Sequence, residues 1–352
     1  MDENLKTETE RLVSSWMQHD SEWLKDYLVK EVEDPRINLQ SILSRHFLLR
    51  ALFKEKFLGL MEQEYRFSAC MSWLQKLVRH QICDPQEVEV LLYALRHGAD
   101  NAEGLAIPQF IVHTFLALPT EPSEFSVSNY IESFLQGVKF SGGKLIPSES
   151  VLNTFQSIWK NALTAYQRDF GQLADSSPVR PRVLEPACGS ANDYRFLRAY
   201  GITDFLGYTG MELCEKNIQN ARSLFPDARF ELGNVFEIED ADRSFEYCFV
   251  HDLFEHFSVD GLTAAVREIC RVTRLGICAG FFNMDEIPEH VVQPVENYHW
   301  NTLSLRLMRD MFANHGFSAQ VVHVGTFLRQ KVGCFETHNL NAYNFFLWRV
   351  EK

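Results

Sequence analysis

Apolar residues in the first half of the chain recur at the spacing of an α-helix. In "LVSSWMQHDSEWLKDYL", the residues Leu12, Trp16 and Trp23 are separated by steps of four and seven, which places them on one helical face. Similar patterns cover 37–65, 66–80, 86–97, 106–117, 126–138 and 148–170. Breaks rich in Gly, Pro and Asp separate them. The first half of the chain is therefore predicted to be all-α.

The pattern changes after the polar, proline-containing stretch "GQLADSSPVRPR". Short apolar runs at 183–187, 205–211, 229–232, 246–251 and 276–282 then alternate with helical patterns. This alternation is typical of a parallel sheet wrapped by helices. We therefore predict two domains: a helical domain over 1–175, which serves as a lid, substrate cover or dimerisation surface, and an α/β domain over 176–352.

The end of the chain departs from this alternation. "AQVVHVGTFL" and "LNAYNFFLWRV" follow one another with no helical pattern between them. Two successive strands of this kind predict a closing antiparallel pair at the edge of the sheet.

Composition narrows the classes of partner. The 352 residues carry a formal net charge of -13, so the surface repels a phosphate backbone and no nucleic-acid partner is expected. No run of about 18 apolar residues predicts a membrane span, and "MDENLKTETERL" is unlike a signal peptide. The eight cysteines lack the spacing of a disulfide framework or a zinc site. We expect a cytoplasmic protein without a metal that acts on a small molecule.

The stretch "VLEPACGSAND" is the first candidate for chemistry. It reads as a buried strand followed by a turn into a helix, where backbone amides can approach a ligand. Of its three small-residue positions only Gly189 is a glycine, and Ala187 and Ala191 occupy the others. A dinucleotide pyrophosphate needs all three glycines, so a nicotinamide-dependent oxidoreductase is a weaker alternative. We expect Cys188 to pack rather than to act as a nucleophile, and Asp193 to cap the helix.

Polar residues also follow the next three strands. Glu212 ends the second strand, 23 residues after Gly189, near the spacing at which an acid reaches ribose hydroxyls. Asn234 follows the third strand, and His251 and Asp252 end the fourth. Since the carboxyl ends of parallel strands lie at one edge of a sheet, these side chains are expected to converge on one crevice.

From Val183 to its end the chain resembles a class I S-adenosylmethionine-dependent methyltransferase of the small-molecule type. The resemblance implies a Rossmann-like fold, with a mostly parallel sheet and helices on both faces, and S-adenosyl-L-methionine as the cofactor. It implies that Glu185 and the turn hold the methionine part and that Glu212 accepts both ribose hydroxyls. Asn234 takes the position facing the adenine amino group, between Leu213 and Val235.

The cofactor-binding residues implied by the resemblance form one set. They are Glu185, Ala187, Cys188, Gly189, Ser190, Asn192, Glu212, Leu213, Asn234, Val235, His251, Asp252 and Leu253. To these we add Tyr166, because the helix that carries it is the predicted helix nearest the sheet and is expected to pack beside the crevice.

Two histidines are candidates for a general base. His256 follows the fourth strand, near the expected methyl group, and His299 lies in the long connection after the fifth strand. A neutral imidazole can take the proton of an acceptor hydroxyl. In the same region Phe282, Tyr298 and Trp300 are expected to form an aromatic cup for an apolar acceptor.

Several alternatives remain open from the sequence. His251 and Asp252 with Glu255 could hold a divalent cation, although we predict no metal. "EPACGSA" is also similar to the "DPACGSG" turn of amino-methylating DNA methyltransferases, but "HDLF" replaces their Asn/Asp-Pro-Pro-aromatic motif.

The leading hypothesis is transfer of a methyl group to an oxygen or nitrogen of a small-molecule acceptor in specialised metabolism. We also expect a homodimer that forms through the helical half of the chain. The alternative is a non-catalytic S-adenosylmethionine-binding module that recruits a protein partner through the same helices.

Overall fold

The computed structural model describes residues 2–30, 34–79, 149–171, 180–332 and 340–350, with short pieces between 86 and 146. The helices among them are α1 (Glu3–Met17), α2 (Ser21–Lys30), α3 (Leu39–Phe53), α4 (Leu58–Arg79), α5 (Glu149–Gly171), α6 (Asn192–Ala199), α7 (Glu215–Leu224), α8 (Val259–Val272), α9 (Leu305–Asn314) and α10 (Val324–Val332). The predicted helices over 86–97, 106–117 and 126–138 lie largely or wholly outside the described residues. None of the described helices has the length and hydropathy needed to cross a membrane.

One sheet of seven strands organises the second half of the chain. Its strands are β1 (Arg182–Pro186), β2 (Gly207–Glu212), β3 (Arg229–Leu232), β4 (Phe245–His251), β5 (Thr273–Phe281), β6 (Phe317–His323) and β7 (Tyr343–Arg349). Their order is β3-β2-β1-β4-β5-β7-β6, with β1 to β5 parallel and β7 antiparallel to both β5 and β6. The predicted parallel sheet with a closing antiparallel pair is confirmed.

Shorter elements decorate this frame. Single 3₁₀ turns lie at Ile202–Phe205 and Phe254–His256. Two short ladders precede α5 and pair Asn101–Ala102 with Leu105–Ala106 and Lys139–Ser141 with Lys144–Ile146. Two more follow β5 and pair Met284–Asp285 with Leu303–Ser304 and Pro294–Val295 with Tyr298–His299. The last two ladders shape the connection that follows β5.

The strand order creates a crevice between β1 and β4. Strand β2 lies on one side of β1 and β4 lies on the other. The connection that leaves β1 therefore runs in one direction along the sheet, and the connection that leaves β4 runs in the opposite direction. Such a switch point is where open α/β sheets bind ligands. The fold therefore brings the ends of β1, β2 and β4 around one site, as the sequence predicted.

The prediction that no helix separates the last two strands is wrong. Helix α10 lies between β6 and β7, and it buries Val324 and Leu328, one helical turn apart. Phe327 packs its ring against Tyr65 of α4, with centroids 4.7 Å apart. The β-branched and aromatic residues of this segment favour a strand locally, but contact with α4 buries them as a helical face.

The N-terminal helices share the core of the α/β part. Leu43 and Phe47 of α3 are buried in the same cluster as Val183 of β1, Phe249 of β4 and Cys278 of β5. The predicted boundary at about 175 falls in a segment outside the described residues and stays a prediction.

Helix α3 is buried on every side from Leu39 to Leu49, including its polar residues. Arg45 donates to Glu64 of α4 at 2.6 Å, and His46 Nε2 lies 3.0 Å from the second oxygen of the same carboxylate. Burial alone would raise the pKa of Glu64, but Arg45 and His46 hold it below its ordinary value. This ion pair joins α3 to α4 inside the core.

We expect Glu64→Ala to lower the free energy of unfolding by about 3–5 kcal/mol, because it leaves a buried guanidinium unpaired. Glu62→Ala is the matched control: Glu62 is two residues away and forms a half-exposed pair with Lys331 at 3.1 Å. That pair is worth about 1 kcal/mol or less. Denaturant unfolding measures both changes. Equal decreases in the free energy of unfolding for the two variants would contradict the stabilising role of the buried pair between Arg45 and Glu64.

Candidate functional site

The turn after β1 has a left-handed backbone at each of its three small-residue positions. The φ angles are 58° at Ala187, 53° at Gly189 and 67° at Ala191. Alanine adopts this conformation only with strain, whereas glycine adopts it freely. The turn therefore keeps a glycine-type geometry without two of the glycines.

Glu212 at the end of β2 holds this turn in place. Its Oε2 accepts a hydrogen bond from the Gly189 amide at 3.0 Å, and its Oε1 accepts from the amides of Leu213 and Cys214, both at 2.9 Å. A carboxylate has about four acceptor positions, so three are used. Glu212 then has room for one ligand hydroxyl rather than the two that the resemblance implied.

The other side chains of the turn pack beneath it. The Glu185 carboxyl accepts a hydrogen bond from the Tyr208 hydroxyl, and burial raises its pKa well above the ordinary value. Ser190 donates to Asn217 of α7 at 2.8 Å. Cys188 is buried, and desolvation raises the pKa of its thiol, consistent with the expected packing role. Ligand contact by Ser190 and Cys188 would therefore involve the backbone.

The upper side of the turn is open. Apart from Gly189 and its two chain neighbours, no described residue has an atom within 4 Å of the position where a Cβ on Gly189 would stand, and Ala187 is exposed. At the start of α6 the amide oxygen of Asn192 is buried and has no hydrogen-bond partner among the described residues. An open backbone cradle with an unsatisfied acceptor suits a ligand with hydroxyl or amino donors and no phosphate.

Asn234 after β3 is held by helix α1. Its Nδ2 donates to Thr9 Oγ1 at 2.9 Å, and its Oδ1 accepts from the Phe236 amide at 2.9 Å. Leu213 and Val235 are half-buried beside it, against the cluster that contains Leu5 and Leu12 of α1. The predicted adenine-lining residues therefore lie together, next to a helix that the sequence did not connect with the site.

Helix α1 also contacts the elements that follow β2 and β4. Glu8 accepts a hydrogen bond from the Ser258 amide at 2.6 Å, and Gly261 leaves space for that carboxylate. At the other end of α1, the sulfur atoms of Met17 and Cys214 are 3.7 Å apart. The helix thus covers the carboxyl-end side of the sheet. No sequence motif marks these contacts, since Glu8 and Thr9 are ordinary polar residues of an amphipathic helix.

The structure uses both ring nitrogens of His251 internally. Nε2 contacts Ser44 Oγ of α3, and Nδ1 donates to Asp193 Oδ2 at 3.1 Å. Asp193 therefore pairs with His251 instead of capping α6, whose N-cap is Ala191 without a side-chain bond. Burial alone would lower the pKa of His251, but Asp193 raises it above its ordinary value. Both ring nitrogens of His251 therefore have partners within the protein, and its expected place beside the cofactor stays a prediction.

The divalent-cation alternative loses its imidazole ligand for the same reason. Among the described residues, no group of three or more His, Cys, Asp or Glu side chains could hold a metal ion.

Asp252 directly follows β4, at the edge of the sheet where that strand ends. Its backbone is left-handed, with φ at 47°, and its amide donates to the Gly280 carbonyl at 3.1 Å. The residue is exposed, and desolvation raises the pKa of its carboxyl group to about 6. Leu253 beside it packs against the core.

The predicted aromatic residues surround His256. Its ring centroid is 5.5 Å from that of Phe282, 5.5 Å from that of Tyr298 and 5.7 Å from that of Trp300, which is 46% exposed. His256 Nδ1 lies 3.1 Å from the carbonyl oxygen of His299 and must donate to it. This fixes the neutral tautomer with Nε2 as the proton acceptor, and burial lowers the pKa of the ring.

His299 lies in the same connection, but its environment is different. Its Nδ1 is buried and has no hydrogen-bond partner among the described residues. The connection is anchored by Glu255, whose Oε1 accepts from the Phe282 amide at 2.8 Å and whose carbonyl accepts from the Asn301 amide at 2.9 Å. Burial raises the pKa of Glu255 to about 8. Of the two histidines, His256 is the one with a defined acceptor nitrogen.

The structure places Tyr166 away from the crevice. Its ring packs on Phe53 and Phe57, with centroids 5.0 and 5.9 Å away, and Phe53 in turn contacts Phe205 just before β2 begins. This is the opposite end of the strands from Gly189. These contacts place Tyr166 near the amino ends of the strands, and its expected contact with the cofactor stays a prediction.

Residues 183–276 match the family model described as "Methyltransferase domain". None of the curated protein sequences compared with this chain is similar to it. Similar solved structures include a S-adenosylmethionine-dependent methyltransferase from Methanosarcina mazei, which is 12% identical over 51% of this chain and 100% of that chain, with a TM-score of 0.39. Another, from Mesorhizobium loti, is 12% identical over 53% and 98%, with a TM-score of 0.38. Magnesium protoporphyrin IX methyltransferase from Synechocystis, with bound S-adenosylmethionine, is 11% identical over 57% and 82%, with a TM-score of 0.35.

The family match covers β1 to the start of β5, which includes the turn, Glu212 and the end of β4. Residues 183–276 therefore match a methyltransferase domain, and the sheet to which they contribute has a Rossmann-like order.

We expect Ala187→Gly and Ala191→Gly each to raise the free energy of unfolding by about 0.5–1 kcal/mol, because relief of left-handed strain exceeds the entropy that glycine adds to the unfolded chain. Ala165→Gly in the middle of α5 is the control and should lower it by about 1 kcal/mol. Thermal or denaturant unfolding gives the sign of each change. A lower free energy of unfolding in all three variants would contradict the interpretation that the turn is strained.

Proposed function

We propose that the protein transfers the methyl group of S-adenosylmethionine to an oxygen or nitrogen of a small apolar or aromatic acceptor, in specialised metabolism. The acceptor is bound against Phe282, Tyr298 and Trp300. The observation that carries this proposal is the position of His256, which lies one short turn after β4 with these three aromatic rings around it.

The cofactor would lie between the ends of β1 and β4. The open face of the turn and the remaining acceptor position of Glu212 suit a ribose hydroxyl, and the Asn192 oxygen suits an amino donor. Leu213 and Val235 offer an apolar slot under α1. These residues fit an adenosine carrying an amino acid and provide no nest for phosphates.

The chain's own groups then position the reactants. When bound, S-adenosylmethionine supplies a methyl group on a positively charged sulfur. The aromatic side chains orient the acceptor, and α1 excludes water from the crevice; such positioning is worth roughly 7–11 kcal/mol in favourable cases. His256 Nε2 accepts the proton of an acceptor hydroxyl as the new bond to carbon forms.

The structure offers less support for the alternative of a non-catalytic S-adenosylmethionine-binding module. It rested on the departures Ala187, Ala191 and Asn234 from the family pattern. Both alanines take up the left-handed geometry that glycines would have, and Asn234 is fixed by hydrogen bonds on both sides of its amide. Detection of a methylated product with any small acceptor separates the two functions. The cytoplasmic location and a homodimer through the helices remain predictions.

We expect Glu212→Ala to raise the dissociation constant of S-adenosylmethionine at least tenfold, because the variant removes a ligand acceptor and also frees the Gly189 amide that shapes the turn. The control is Glu215→Ala, an exposed position at the start of α7. Isothermal titration calorimetry compares them. Equal affinities for wild type and Glu212→Ala would reject the proposed cofactor site.

We expect His256→Ala to lower kcat by roughly 10²–10⁴-fold for a hydroxyl acceptor while cofactor affinity stays unchanged. In the wild type, kcat should fall as the pH drops below the lowered pKa of His256, since protonation removes the base. The variant should lose this acidic limb. His299→Ala tests the other candidate, and a loss confined to that variant would assign the base to His299 instead.

A further inference from the structure

Carboxyl groups from several elements lie near the carboxyl ends of the strands. Glu185 is the next-to-last residue of β1, Glu212 ends β2, Asp252 and Glu255 follow β4, and Asp193 is the second residue of α6. Most are already engaged: Glu185 with Tyr208, Glu212 with three amides, Asp193 with His251, and Glu255 with two amides.

Asp252 differs from the others in three ways. It is exposed, whereas Glu212 and Glu255 are buried. Its backbone has a φ of 47°, a conformation that persists in folded proteins where surrounding structure imposes it and that clusters at functional sites. It also lies at the switch point, across the crevice from the turn after β1.

The methyl donor and its product differ in charge at one atom. The sulfur carries a positive charge before transfer and none afterwards, while the amino, carboxyl and adenosine groups are the same. A carboxylate near the sulfur therefore stabilises only the donor. In an enclosed crevice this attraction is stronger than in water, because the effective dielectric constant is lower.

We propose that the Asp252 carboxylate makes this site bind S-adenosylmethionine more tightly than S-adenosylhomocysteine, so that loss of the positive charge during transfer promotes release of the product. The inference rests on the proposed function, since it takes the crevice as the cofactor site. Asp252 is then a residue that sets specificity between donor and product.

Other titratable groups face Asp252 and define the pH range of the test. His251 precedes it in β4, Asp193 faces it from α6, Glu255 follows in the 3₁₀ turn, and Arg45 of α3 acts on both His251 and Asp193. Burial raises the pKa of Asp252 to about 6 and that of Glu255 to about 8. Between pH 5 and 7, Asp252 gains its charge while Glu255 stays mostly protonated.

The preference for the donor should therefore grow as the pH rises from about 5 to about 7 and the carboxyl group ionises. Loss of positive charge from His251 or His256 as the pH rises would change the preference in the same direction. Only the difference between wild type and a variant at position 252 isolates the contribution of Asp252.

The experiment measures the dissociation constants of both compounds by calorimetry at about pH 5 and 7. In Asp252→Asn, the ratio of the two constants at pH 7 should shift roughly ten- to a hundredfold against the donor, with little change for S-adenosylhomocysteine. Asparagine also tolerates a positive φ, so the backbone is preserved. Asp252→Ser is a second neutral variant, and Asp260→Asn, at an exposed position of α8, controls for loss of one charge.

Equal ratios in wild type, Asp252→Asn and Asp260→Asn would overturn this inference and leave the proposed function intact. A parallel loss of affinity for both compounds in the two variants at position 252 would also overturn it, since that result indicates a structural role. Failure of the wild type to bind either compound would overturn the proposed function and this inference together.

Discussion

The hydrogen bond between the Gly189 amide and the Glu212 carboxylate connects the turn after β1 to the end of β2, beside the crevice. It fixes the turn after β1 against the end of β2, and the other oxygen of the same carboxylate orders the start of α7 through Leu213 and Cys214. A buried carboxylate is stable only when its lone pairs are satisfied, so this arrangement determines the shape of the turn and the position of the helix together.

That constraint explains how the turn forms with a single glycine. Once Glu212 holds Gly189, the chain must reverse on either side of it, and both Ala187 and Ala191 are forced into the left-handed region. Strain of this kind persists only where the surroundings over-determine it. The missing glycines therefore reduce stability without changing the geometry that the cofactor meets.

The N-terminal helices complete the site rather than forming a separate body. Helix α1 bonds to Asn234 and Ser258 on one side, and α3 reaches His251 through Ser44 on the other. The methyltransferase sheet is therefore enclosed by segments that lie more than a hundred residues away in sequence. This explains why His251, which ends β4 as expected, contacts a neighbouring helix through Ser44.

The sequence alone determined the mostly parallel sheet, the placement of the turn and Glu212 at one edge of it, and the aromatic group near His256, because these depend on local periodicity and on the rule that parallel strands end at one edge. Tertiary contacts decided the rest. Packing on α4 turned the segment around Phe327 into a helix, Phe53 and Phe57 drew Tyr166 to the opposite end of the strands, and Asp193 with Ser44 occupied His251. Each of these outcomes depends on residues far apart in the chain, and a single sequence carries no signal for which distant side chains will meet.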